Sequence, residues 1–265
     1  NAMLIEALSG IGNSSQACAV LEDLLCDESS TLDNLRSYCV KLARMDSGAS
    51  IVAKNIGNLL RRTSVFAISK RQELVTDILE ALLETAVAAD DAISGEIIRN
   101  MEAILTDSAL FRETGLTRDG KSRAYAVIWN AASDMYMQNK YGIARILFGM
   151  TLPLSAHRKS KKAHDAVSSV VRLQIMCDLE SGDVLRAQES LQSLTSEIVS
   201  NNGTLDISTR LLHAKLKLAS GDISGLGEII ESLGKEGESS ALLYVAGELD
   251  ATEHHAVAAD AFQKL

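Results

Sequence analysis

Proline is nearly absent: Pro153 is the only one in 265 residues. A proline inside a helix removes a hydrogen bond and clashes with the preceding turn, so this shortage leaves long helices open. Aromatic residues make up only 4%, while Ala and Leu are plentiful, which is the composition of helix packed on helix. The four cysteines, Cys18, Cys26, Cys39 and Cys177, form no CxxC pair and have no histidine at ligand spacing. That excludes a recognisable zinc or disulfide framework and leaves small buried hydrophobes in a reducing, intracellular compartment. In such a compartment the sequons Asn13-Ser14-Ser15 and Asn202-Gly203-Thr204 are accidental. No apolar run approaches the roughly 18 residues needed to span a bilayer, and no signal peptide is legible. A basic surplus is missing too. The net charge of −9 argues against direct nucleic-acid binding by the chain as a whole and suits protein partners.

Catalytic motifs are equally scarce. Nothing matches Gly-x-Ser-x-Gly, a Walker A loop or a kinase signature, so the expectation is a non-catalytic chain with no cofactor and no metal. Gly10-Ile11-Gly12-Asn13 carries a Gly-x-Gly, but no strand–loop–helix unit follows and the third glycine is lacking. It reads as a helix-breaking turn. The one basic cluster, His157-Arg158-Lys159-Ser160-Lys161-Lys162, has no interleaved aromatics and reads as a solvated loop rather than a phosphate contact. Adjacent His254 and His255 point in different directions, unlike the i, i+4 pair of a zinc helix. His255 is expected to be a packing residue.

What the sequence does hold is a repeat. Four helix breaks align on Tyr141, Val184, Ile223 and His255, roughly 30 to 45 residues apart, the range of two-helix solenoid repeats. Three, seven and ten residues further on stand Ala144/Phe148/Thr151, Ala187/Leu191/Leu194, Leu226/Ile230/Leu233 and Ala258/Phe262/Leu265. These offsets share one face of a helix with 3.6 residues per turn. Nine residues before the anchors come Ala132, Ile175, Ala214 and Ala246, mostly small, as close backbone approach requires. Leu179-Glu-Ser-Gly-Asp-Val184 and Leu218-Ala-Ser-Gly-Asp-Ile223 are nearly identical turns, in which Gly ends one helix and Asp183 or Asp222 can cap the next. Trp129, Tyr136, Tyr141 and Phe148 read as the packing core of one hairpin rather than an aromatic recognition box.

Before the repeats, helices are expected over Met3–Leu8, Ser14–Leu25, Leu32–Met45, Ile51–Arg62 (extending toward Ser69), Gln72–Ala88 and Ser94–Leu105. Asp46-Ser-Gly-Ala-Ser50 is expected to be a break with capping residues, and Thr114–Ser122 the richest loop. The hairpins run from Ala124, joined by loops around Ser155–Lys162, Ser200–Asp206 and Gly234–Ser239. Two parts are expected, an N-terminal helical part (3–113) and four hairpins (121–265), in one continuous superhelix. Asn1-Ala2 reads as a cloning scar. Leu265 falls inside a helical pattern, so the sequence reads as a fragment of a longer solenoid or as one whose last helix caps the array.

The fold expected is all-α: a TPR-like antiparallel helix-hairpin solenoid, a right-handed superhelix of about ten to thirteen helices. The residues expected to pack its repeats are Trp129, Ala132, Tyr136, Tyr141, Ala144, Phe148, Ala187, Leu191, Ala214, Ile230, Ala258 and Phe262. Ile128-Trp-Asn-Ala-Ala132, Met135-Tyr136 and Asn139-Lys-Tyr-Gly-Ile-Ala-Arg-Ile-Leu-Phe148 together resemble the TPR pattern. More narrowly, with Ala166–Glu180 and the Ser-Gly-Asp turn, residues 124–265 resemble the meiotic sporulation-twenty-two/zip-four family of TPR-like proteins. Leu226 in place of a small residue and His255 as an anchor depart from a regular peptide-clamping array. The resemblance implies a non-enzymatic scaffold on meiotic chromosomes in the nucleus, active in synapsis and crossover formation, with proteins gathered on its concave surface. The rival readings are a cytoplasmic or bacterial TPR adaptor that binds a peptide or partner protein, and an enzyme or small-ligand sensor with a pocket between hairpins.

Overall fold

The structure is a computed structural model. It describes residues 7, 13, 16–17, 19–21, 23, 31–63, 68–106, 116–155, 161–201, 203–252 and 254–264. Side chains at 46–47, 61–63, 68–69 and 161–164 stand outside that description, as do Cys18, Cys26, the Gly10–Gly12 turn, residues 156–160, Asn202 and Leu265. Among the described residues every regular element is a helix. These are α1 (Leu32–Ala43), α2 (Asp46–Thr63), α3 (Ile68–Ala88), α4 (Asp91–Thr106), α5 (Arg118–Met137), α6 (Tyr141–Met150), α7 (Leu152–Ser155), α8 (Lys161–Glu180), α9 (Val184–Ser200), α10 (Ile207–Ser220), α11 (Leu226–Lys235), α12 (Ser239–Ala251) and α13 (His255–Gln263).

The expected break at Asp46–Ser50 is instead the first turn of α2; the chain bends at Arg44–Met45. Gly48 permits this, because a Cβ there would stand 2.4 Å from the Leu42 carbonyl oxygen. Only glycine lets α2 start so close to the end of α1. The loop expected at Thr114–Ser122 likewise shortens, since α5 begins at Arg118. Gly120 sits inside that helix at a close approach to α3, where its missing Cβ would be 3.1 Å from Gln72 Oε1. Pro153 lies in the first turn of α7, where its missing N–H breaks no ladder.

The described contacts divide the chain into residues 1–167 and 168–265, with the division inside α8. Packing runs between the two expected parts, 3–113 and 121–265: α5 packs on α3 and α6 packs on α4 within the first unit. There α1 packs on α2 and α3, α2 on α3 and α4, α3 on α4, and α5 on α6. Thr85 Oγ1 donates to the Ala43 carbonyl at 2.6 Å, satisfying a carbonyl at the end of α1. In the second unit α9 packs on α10, α10 on α11 and α12, α11 on α12, and α12 on α13. Its core forms two clusters, one of Ile175, Leu179, Ala187, Leu191, Leu194 and Leu212, the other centred on Ile230, Leu233, Leu242 and Val245.

Candidate functional site

The hairpin turns share one geometry. The amide of Lys140 donates to the Met135 carbonyl (2.9 Å), Asp183 to Asp178 (2.8 Å), Asp222 to Lys217 (3.0 Å) and His254 to Leu249 (2.8 Å). Each is the six-to-one bond of a Schellman turn. Left-handed residues supply the corner at Asn139, Gly182 and Gly221 in the first three. Tyr141, Val184 and His255 then begin α6, α9 and α13, whereas Ile223 lies in the turn and α11 starts at Leu226. Asp183 caps α9 by accepting from the Arg186 amide. Asp222 does not cap α11: its carboxylate accepts from the Ser224 amide and hydroxyl, and Gly225 is the N-cap. The cause is local, since Ser224 and Gly225 are poor helix formers where Leu185 and Arg186 are good ones.

Ala132, Ala144, Ala187, Leu191, Ala214 and Ile230 are wholly buried, and Phe148 and Ala258 nearly so. Phe262 departs from its expected place in the core, being 45% exposed. Helix α13 buries Ala258, Ala261 and part of Val257, a face centred about a quarter of a turn from Phe262. Trp129, Tyr136 and Tyr141 are half-buried. Trp129 stacks on Tyr125 at 5.6 Å and meets Phe148 edge-on at 5.3 Å, and Tyr136 meets Tyr141 edge-on at 5.2 Å. His255 is exposed rather than packed, and its Nδ1 lies 2.8 Å from Asp250 Oδ1. Its position at the start of α13 turns the imidazole back toward the end of α12. Cys39 and Cys177 are buried thiols outside any disulfide, and burial pushes Cys39 up to about 12, far from a reactive thiolate.

The second unit is tied by charge. Arg172 on α8 reaches Asp206 at 2.7 Å, and Asp206 also caps α10 through the Thr209 amide at 2.9 Å. Burial alone would raise the Asp206 carboxyl, but hydrogen bonds from Thr209 and the positive charges of Arg172 and Arg210 outweigh it and hold it below its ordinary range. Arg210 forks onto Glu236 at 2.9 and 2.5 Å and onto Ser232. Lys215 of α10 pairs with Glu180 at the end of α8. Its burial is outweighed by that bond and one with Tyr244 on α12, so the ammonium stays charged. His213 Nε2 lies 2.9 Å from Thr195 Oγ1, joining α10 to α9. Burial, then the nearby Lys217, holds this imidazole below its ordinary value.

No family model, curated protein or solved structure matches the chain. The physical features of the second unit therefore carry the functional argument. Residues 168–265 contain seven Lys and Arg against fifteen Asp and Glu, a formal −8 of the chain's −9, while residues 1–167 contain nineteen against twenty. All seven cations of the second unit are paired with its own carboxylates: Arg172, Arg186, Arg210, Lys215, Lys217, Lys235 and Lys264. Sequence reasoning treated the charge as a property of the whole chain; a count by halves was the signal that could have found this. Among its described residues the second unit also carries open grooves. One, of about 500 Å³ between α9 and α10, has Leu191 and Leu216 below Gln188, Gln192, His213 and Lys217. Another, of about 340 Å³ between α8 and α9, has Val171 and Leu194 below Glu189, Ser190, Ser193 and Glu197. No helix among the described residues is long and apolar enough to cross a membrane.

Proposed function

We propose that the chain is a non-catalytic protein–protein interaction scaffold, built as a TPR-like array of helical hairpins. The observation that carries this reading is the packing order: helices two apart in sequence pack on each other, α1 on α3, α3 on α5, α2 on α4, α4 on α6 and α10 on α12. A hairpin that offers an apolar face to its neighbour propagates by stacking, and such stacks wind into right-handed superhelices whose concave surfaces hold protein segments. The recurring Schellman turns and the buried positions three and seven residues after Tyr141 and Val184 support the same reading. Shallow, open grooves lined by hydroxyl, amide and carboxylate side chains suit a peptide chain better than an enclosed small molecule.

The narrower assignment is to meiotic chromosomes in the nucleus, where the scaffold would gather synapsis and crossover proteins. Its support is the resemblance of the Trp129–Phe148 hairpin, the Ala166–Glu180 helix and the turn that follows. Affinity purification of the full-length protein from meiotic cells, with mass spectrometry of what accompanies it, tests both levels. A stable set of chromosome-axis or crossover proteins is the expected result. Chaperones, secretion or signalling proteins in their place would remove the meiotic assignment and leave an adaptor. Turnover of a small molecule lost with the fold would remove the scaffold reading itself.

A further inference from the structure

We draw no further inference here: the strongest candidate, the open α9–α10 groove with Gln188, Gln192, His213 and Lys217 over Leu191 and Leu216, carries nothing, because His213 and Lys217 are already engaged by Thr195 and Asp222 and nothing in the structure shows what covers it.

Discussion

The two units solve the same packing problem with different balances of charge. In residues 1–167 acids and bases nearly cancel, and cross-helix pairs such as Arg36 with Glu73 and Asp77, or Lys54 with Glu96 at 2.5 Å, sit on the flanks of an apolar stack. In residues 168–265 acids outnumber bases about two to one, and three cations of α8 and α10 (Arg172, Lys215, Arg210) hold carboxylates on other elements. A self-neutralising stack has little electrostatic pull on a partner. A unit that spends every cation internally and still carries a large negative surplus has a strong one. The two units therefore differ in electrostatic pull rather than in the kind of packing that holds them.

The largest test of this comparison acts on the second core. Ile230→Ala, at a wholly buried site, is expected to cost about 2–5 kcal/mol. Trp129 is the single tryptophan and lies in the first unit, so its fluorescence follows that unit alone, while circular dichroism follows both. In urea, Ile230→Ala should shift the dichroism transition and leave the Trp129 transition in place. Equal shifts in both signals would show one cooperative body rather than two.

A smaller effect is expected from Asp206→Ala, which removes the α10 cap and the Arg172 partner; about 0.5–2 kcal/mol should be lost from the dichroism transition. Acid sharpens the contrast further. His213 is depressed below its ordinary 6.5, so the unfolded chain takes up the proton first, and the stability present above pH 6.5 is lost as pH falls through the folded value. The dichroism midpoint should therefore drop on acidification below 6.5, more weakly in His213→Gln, with the Trp129 signal flat until carboxylates titrate. The smallest expectation is for Lys264→Ala. Its i, i+4 pair with Asp260 is exposed and should be worth less than about 0.5 kcal/mol in either signal.

Much of the fold was readable locally. The Ala144/Phe148 and Ala187/Leu191 spacings follow from 3.6 residues per turn, and their burial needs nothing beyond a neighbouring helix. The turns were readable where the following residues are strong helix formers, as after Asp183, and misread after Asp222, where Ser224 and Gly225 delay the helix. Gly48 looked like a breaker because its reason for being glycine is the Leu42 carbonyl on another helix. The α8–α9 groove was not readable, since Val171 and Glu189 meet only when the hairpin closes.

The sequence by itself determined an all-helical chain, the hairpin rhythm and the acidic balance, because propensity, periodicity and net charge act within a turn or as simple sums. Tertiary structure decided the division at Val167/Ser168 inside α8, the exposure of Phe262 and His255, and the pairing of every cation in the second unit. Those depend on which faces of separate helices are brought within a few ångströms. Arg172 and Asp206, thirty-four residues apart, become partners only after α8 and α10 have packed.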